Sequence, residues 1–522
     1  MDKFQVIIVG GGPVGAGLAV ELGLRGISCA LIERRTEPER MPKGQNLTPR
    51  TLEHFHRWGI ADTLRAARLL PPGFPASSIT AYDNLMSQYW FAPPQREILR
   101  PYYFQDVERL PQYLTEKVLR AKVATLPNIE ARYGWSATEV AQDDGAARVT
   151  VEGPNGEQEL LTATFVVGCD GAHSIVREQM GIGRGGARFD QTMVMTVFRS
   201  RELHRRLKRF PDRSTYIILR PGLGGYWQFF GRIDSDEQFF FHMPAPPGAT
   251  LENCDFQSMM YSAAGFNFTC EFDYRGFWGL RVAIAETYRV GRVFIAGDAA
   301  HIHPPYGAYG LNSGLEDISN LGWKLAAVLQ GWGGETLLNS YSDERLPIFK
   351  ETVDDFILPR IAEERDFLER YRLERDRDEF ERVWNERAAG SGARVASYEP
   401  NYEGSAVIAG PPGGRTTAAG DHLFAARAGH HLAPQPLSSG RNVFEELGRD
   451  FTLLCFDADP GSLEPTARSL NIPVKIARDS YAGGRERYGN RLILVRPDQH
   501  VAWVGNATPD DPTTLWRKVA GR

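Results

Sequence analysis

Between Phe4 and Glu33 the chain reads strand, glycine-rich turn, helix, strand: FQVIIV, GGGPVG, AGLAVELGLRG, SCALIE. That order is one βαβ unit, and such units build parallel sheets with helices on their faces. Gly10, Gly12 and Gly15 form G-x-G-x-x-G at the first junction, and Glu33 ends the second strand 18 residues beyond Gly15. The glycines permit a tight turn, a close approach to a pyrophosphate and close packing of helix on sheet. The helix start, at Pro13 and Val14, offers N–H groups and a partial positive charge to phosphates. Glu33 is placed to accept from a ribose diol, and its charge disfavours a 2′-phosphate there. A dinucleotide site follows, with NAD and FAD both open.

The 522 residues suffice for three or four domains of ~150 residues each. Against 65 Asp+Glu stand 60 Lys+Arg, a formal charge of −5, so no global positive field exists to hold a nucleic acid. Five scattered cysteines show no CxxC or Cys/His spacing, so neither a disulfide framework nor a metal site is expected. The expected location is the reducing cytoplasm. No basic-apolar leader precedes the first strand, and no run nears the ~18 apolar residues of a spanning helix, so no membrane partner is expected.

Thr164 to Gly168 and Arg292 to Ala296 are further short apolar strands, each running into an Asp/Gly turn. From Thr215 to Met243 the texture turns aromatic and β-rich, which predicts an antiparallel sheet inserted into the α/β framework. A helix is expected over Leu315 to Leu329, with Leu315, Ile318, Leu321, Leu325 and Val328 on one face. A charge-rich helical stretch follows from Arg345 to Arg387, broken at Pro359. Residues 388–420 read as a linker. The strands FTLLCF, PVKIA, RLILVR and HVAWV, with a helix near Leu515, then predict a separate small α/β domain.

Two stretches narrow the cofactor: VVGCDGAHSIVR (166–177), with Asp170-Gly171, and GRVFIAGDAAHIHPPYGAYGLNSGLEDISNLGWKL (291–325). With the N-terminal glycines, in this order and separation, they resemble the three signature motifs of the single-component flavin-dependent aromatic hydroxylases. The tail, with GRNVFEELGRDFTLLCFD and RPDQHVAWVG, more weakly resembles the thioredoxin-like C-terminal domain of the longer members. The resemblance implies FAD and a Rossmann-like FAD-binding domain made of residues 1–75, 105–185 and 285–387. It further implies a substrate domain of 76–104 and 186–284, a linker of 388–420 and a thioredoxin-like domain of 421–522.

Residue by residue, the likeness assigns Asp298 to the hydroxyls of the flavin's sugar-alcohol chain. It assigns the N–H groups of Gly310, Leu311 and Asn312, at a helix start, to the pyrimidine edge of the ring, where the dipole stabilises reduced flavin. Gln112 matches a flavin-contacting glutamine, Asp170 belongs to the shared flavin and nicotinamide motif, and Arg34 and Gln45 join the cofactor set. Pro305 matches a proline whose carbonyl lies near the substrate hydroxyl or the flavin edge. At Pro42-Lys43-Gly44 the chain departs from the family's Pro-Arg-Ala: Lys43 keeps the charge but lacks the planar fork.

The implied cycle has NAD(P)H reduce the flavin and O2 add to give a C4a-hydroperoxide, whose distal oxygen attacks a phenolic ring. There is no second glycine-rich βαβ unit, so NADH or NADPH is expected as a transient reductant over the same flavin. Activating the ring requires a base within hydrogen-bond reach. The candidates are Tyr216, Tyr226, His242 and His303, each of which also has a plain packing reading. His301 is assigned a structural role. Trp227, Phe229, Phe230, Phe239 and Phe241 are expected mostly in the core, with a few lining an apolar pocket. Arg220 and Arg232 are either solvated hairpin residues or partners of a substrate carboxylate. The lone Cys455 argues against thiol redox in the tail, leaving packing or homodimer contacts. Other readings stay open: the same flavin chemistry used for oxidative decarboxylation, dechlorination, epoxidation or Baeyer–Villiger oxidation, an NAD-dependent dehydrogenase, or a non-catalytic flavin-binding protein.

Overall fold

The computed structural model describes residues 4–93, 96–186 and 191–522. Residues 94–95 and 187–190 belong to the segments expected to form the substrate domain; they lie outside the described residues, as do 1–3. Every residue of the strands Val6–Val9 and Cys29–Glu33 is buried, as strands covered on both faces require. They pair in parallel and continue into Ile129–Tyr133 on one side and Phe165–Gly168 and Val293–Ile295 on the other. Arg289–Val290 closes the edge in the antiparallel sense. The helix Pro13–Leu24 shares this core with the helix Tyr309–Leu329, through Leu18 and Leu22 on one and Leu315, Ile318 and Leu321 on the other. The second helix therefore begins six residues before its apolar stripe, at Tyr309.

A seven-stranded sheet stands beside this unit in the order Glu271–Leu280, Gln191–Arg199, Gln238–Pro244, Gln228–Arg232, Thr215–Leu219, Ser78–Tyr82, Trp90–Phe91. One pairing departs from the expected antiparallel sheet: Thr215–Leu219 runs parallel to Ser78–Tyr82. No hairpin joins these two strands; the chain returns to the parallel sheet between them, which frees their relative direction. Side-chain alternation divides the aromatics. Phe229, Phe240 and His242 face a cavity, whereas Phe230, Phe239 and Phe241 pack beneath Leu203, Leu207 and Met260.

The charge-rich stretch is a series of helices: Glu335–Glu351, the π-turn Thr352–Ile357, Leu358–Arg370 and Arg377–Gly390. The expected break at Pro359 does not occur: the π-turn runs directly into the third helix, which takes Pro359 in its first turn, and the chain leaves the helical path at Tyr371. Residues 388–420 carry the helical turn Ala393–Ala396 and a hairpin of Tyr398–Tyr402 with Thr416–Ala419. In the tail, Phe451–Phe456 pairs in parallel with Val474–Asp479 across the helix Leu463–Ser469. Leu492–Val495 and Val501–Gly505 add an antiparallel hairpin, and the helix Pro512–Val519 closes the unit. All five cysteines are unpaired. Among the described residues no helix is long and apolar enough to cross a membrane.

The tail is joined to the parallel-sheet core by apolar packing and by buried charge. Phe451, Leu463 and Trp516 share a cluster with Trp323 and Trp332. The turn after Leu492–Val495 brings in Arg496, which donates to both Glu344 oxygens at 2.7 and 2.9 Å and to Asp498 at 3.0 Å. Lys324 donates to Glu344 at 2.7 Å and the Trp323 indole to Asp498 at 3.2 Å. Burial alone would raise the Glu344 carboxyl, but the Arg496 and Lys324 charges outweigh it and hold the group well below the usual carboxylate range. Removing one member strands the others in a dry interior. Arg496→Met is expected to destabilise the chain by about 3–5 kcal/mol, read as a fall in the thermal unfolding midpoint followed by tryptophan fluorescence.

Candidate flavin and substrate site

One cavity of about 1470 Å³ runs from the glycine turn to the aromatic face of the seven-stranded sheet. Gly10, Gly12, Pro13, Val14, Glu33, Arg34, Lys43, Gln45, Gln112, Asp170, Asp298, Gly310, Leu311 and Asn312 line it, as do His242, His303 and Pro305. Gly15, Tyr216 and Tyr226 stand outside that lining.

The fingerprint glycines do different work. A Cβ on Gly15 would fall 1.8 Å from the Gly10 carbonyl oxygen, so this glycine lets the helix sit on the strand end. A Cβ on Gly12 would meet nothing within 4 Å: its space is open cavity. The Glu33 carboxylate accepts from the N–H groups of Gly11 at 2.7 Å and Arg35 at 2.8 Å, which aims it along the turn. Val14 fills the gap between this turn, the turn at Gly297 and the helix at Gly314, since Cβ atoms on Gly297 and Gly314 would lie 3.0 and 2.7 Å from it.

Asp298 sits on the 3-10 turn Gly297–Ala299, exposed to the cavity but surrounded by protein, and desolvation raises its pKa. The turn is held from behind by Asp317. One oxygen of Asp317 accepts from the Gly297 N–H at 3.0 Å and from His301 Nε2 at 2.6 Å; the other accepts from Arg345 Nε at 2.8 Å. His301, expected in a structural role, is buried against Asp317 and also borders the cavity. Asp170 accepts from the Val176 N–H at 3.3 Å at the start of a short helix capped by Ser174, and burial raises its pKa.

The helix start is fastened by Asn312. Its carbonyl accepts from the Thr48 N–H at 2.9 Å and the Thr51 hydroxyl at 2.7 Å, and its amide donates to Asn46 and Ala308 carbonyls at 2.9 and 2.7 Å. The side chain is saturated, so only backbone remains to meet a ligand at Asn312. The opening N–H groups of any helix lack acceptors within it, and Gly310 and Leu311 stand there. Gln112 accepts from the Gly44 N–H at 3.0 Å. Gln45 donates to the Pro42 carbonyl at 3.2 Å. Lys43 pairs with Glu39 at 2.9 Å, and both residues line the cavity.

Of the four candidate bases, two belong to packing. Tyr216 is buried in the sheet's helix-covered core, its hydroxyl accepting from Arg232 Nε at 3.1 Å. Tyr226 packs beside the cluster of Trp227 and Tyr306. The reason is parity: Tyr216 alternates with Ile217, which faces the cavity. His242 accepts from the Trp278 indole at 3.1 Å and stacks on Phe229 with centroids 5.0 Å apart; burial pushes it down to about 4. His303 donates Nδ1–H to the Pro304 carbonyl, its Nε2 is buried beneath Gly310, and burial likewise pushes it down to about 4. Arg220 pairs with Asp83 at 3.3 Å and Arg232 contacts His204 at 2.7 Å; neither reaches the cavity. The cavity also takes in arginines that no motif announces: Arg109, donating to Asn46 at 2.6 Å, and Arg360.

The site fits an FAD. Gly12 leaves room for a pyrophosphate, a helix start faces the cavity, and Gln45 Oε1 and Asp170 Oδ1 are buried without a partner among the described residues. The fold and this site together define a dinucleotide-binding flavoprotein. Residues 3–355 match the FAD binding domain family, and residues 425–522 match the C-terminal region of aromatic-ring hydroxylases. The chain belongs to the single-component flavin-dependent aromatic hydroxylases and is an FAD-dependent monooxygenase.

Rifampicin monooxygenase of Streptomyces venezuelae is 35% identical over 361 residues, 67% of this chain and 70% of that protein. The 4-methyl-5-nitrocatechol 5-monooxygenase of a Burkholderia species is 28% identical over 544 residues, 98% and 95% of the two chains. The flavin-dependent monooxygenase PieE, solved with FAD and substrate, superposes with a TM-score of 0.85 at 25% identity, covering 99% of this chain and 98% of its own. A nicotinamide dehydrogenase, one of the open readings, is set aside by this membership.

The glycines give a paired test. Gly12→Ala is expected to keep the unfolding midpoint while FAD content drops, because the added methyl occupies only cavity. Gly15→Ala is expected to destabilise the fold itself by about 1–3 kcal/mol of overpacking and so to lower the midpoint. Thermal melts and the flavin-to-protein absorbance ratio read both.

Proposed function

We propose that this enzyme hydroxylates a phenolic ring held between the aromatic sheet face and the loop at Pro305, with NADH or NADPH as reductant and O2 as oxidant. The observation that carries this reading is one continuous cavity, which passes from the glycine turn along the helix start to Ile217, Trp227, Phe229 and Phe240. A flavin lying along the first part brings its ring against an apolar chamber of suitable shape.

Bound FAD supplies the activation of oxygen; the chain supplies position, charge and dryness. The turn at Gly10 to Gly15 and the N–H groups after it take the pyrophosphate, Glu33 the ribose and Asp298 the sugar-alcohol hydroxyls. Gly310 and Leu311 point peptide dipoles at the pyrimidine edge, where charge accumulates on reduction. Pro305, exposed to the cavity, offers its carbonyl to the substrate hydroxyl. His303 holds the shape of that loop through Pro304. His242 is committed to Trp278 and a backbone hydrogen bond with Val194, so it serves as a wall of fixed orientation. The domain division 1–75, 105–185 and 285–387 with 76–104 and 186–284 follows from this assignment. The tail is read as thioredoxin-like in topology and as packing or homodimer surface, and the unpaired cysteines fit a cytoplasmic setting.

Purified protein is expected to be yellow, to release FAD on denaturation, and to oxidise NAD(P)H faster when a suitable phenol is added. The product is expected to gain one oxygen atom from labelled O2. Colourless protein without FAD overturns the reading. Burial disfavours the imidazolium of His242 and of His303 and pushes each down to about 4. The pH profile of kcat/KM is therefore expected to lack any limb from these two residues across roughly pH 5.5–8. A limb there that His303→Asn or His242→Asn abolishes contradicts the assignment.

A further inference from the structure

Arg360 lies on the helix Leu358–Arg370 and lines the cavity. Its guanidinium carbon sits 4.2 Å from the centroid of the Trp227 indole. Among the described residues it makes no hydrogen bond and no ion pair within 4 Å. The other charges of this wall pair off: Arg387 holds Glu364 and Arg394 holds Glu363. Three guanidiniums face two carboxylates, so one positive charge is left over. Glu364, one turn along the helix, attracts Arg360 from a distance while its carboxylate is taken by Arg387.

A second donor lies in the same place. The Trp227 indole N–H is buried and has no acceptor among the described residues. Trp227 is itself fixed at the reacting end of the cavity: its ring lies 4.2 Å from that of Tyr306, the residue after Pro305, and its backbone N–H donates to the Tyr306 hydroxyl at 3.0 Å. An unpaired guanidinium half-sunk in an apolar wall is unfavourable until an anion meets it, and its planar fork matches a carboxylate.

We propose that Arg360 is the substrate-anchoring residue of an anion subsite, and that the ring hydroxylated by this enzyme bears a carboxylate. The carboxylate takes parallel hydrogen bonds from Arg360 beside Trp227, which orients the ring against the Pro305 loop. This rests on the aromatic-hydroxylase reading and deepens it.

The test uses the FAD-loaded full chain and two matched probes, 3-hydroxy-2-naphthoate and its methyl ester, with binding followed by perturbation of the flavin absorbance. Wild type is expected to bind the acid about 10- to 100-fold more tightly than the ester. Arg360→Gln is expected to erase that preference while leaving ester affinity in place, and Arg360→Lys to retain part of it. The acid-to-ester ratio is taken within each variant, so a general loss of folding does not mimic the result. Equal binding of both probes, binding of neither, or a preference that survives Arg360→Gln overturns the subsite. Protein without FAD, or with no phenol that stimulates NAD(P)H oxidation, overturns the broader reading instead; an ester that stimulates as well as the acid overturns only the subsite.

Discussion

The geometry of the flavin-binding region depends on one buried carboxylate. Asp317 stands on the helix that begins at Tyr309, and it receives the Gly297 N–H, His301 and Arg345. Burial alone would raise its pKa, but its interactions with His301 and Arg345 outweigh that and lower it. Through it, the turn carrying Asp298 is referenced to the helix that presents Gly310 and Leu311. Two cavity-facing surfaces from segments a dozen residues apart are thus held in one frame by a group outside the cavity lining. Buried ion pairs of this type contribute little net stability over an apolar packing; what they supply here is orientation.

The same helix begins under strain. Gly307 has φ +75° and Ala308 φ +58°, two successive left-handed residues, and the second is not a glycine. A left-handed alanine costs about 1–2 kcal/mol. The four hydrogen bonds of Asn312, three to the segment from Asn46 to Thr51 and one to the Ala308 carbonyl, hold that conformation in place. Its reward is a sharp approach that lets the loop at Pro305 and the first N–H groups of the helix face the same cavity.

What could be read in the sequence follows from these demands. Close backbone approach tolerates only small residues at fixed spacing, so Gly10, Gly12, Gly15, Glu33 and the Asp298 turn were visible as a pattern before any fold was known. The aromatic sheet was visible too, but not the direction of its side chains: Tyr216 and Ile217 differ only in parity, and parity depends on register. The pairing of Thr215–Leu219 with Ser78–Tyr82 joins segments separated by an excursion through another unit, which no local texture reveals. The small sheet of Ser136–Gln142, Ala147–Glu152 and Gln158–Ala163 went unread although Ala147, Val149 and Val151 alternate into the core; the exposed polar residues of its outer strands break that period in Ser136–Gln142 and Gln158–Ala163. Arg360 and Arg109 come to the cavity from unrelated stretches of chain, and a lone arginine on a charged helix has no signature.

The tail is not an appendage. Its turn from Arg496 to His500 places a charged cluster under the helices that carry Trp323, Lys324 and Glu344, and His431 and His500 reach the cavity itself. Exchange of the last hundred residues between relatives would therefore strand mismatched charges on both sides of the seam. Trp323, Lys324, Glu344, Arg496 and Asp498 have to be inherited as a set, which makes the C-terminal region and the two helices beneath it a single unit for recombination, wherever a domain boundary is drawn.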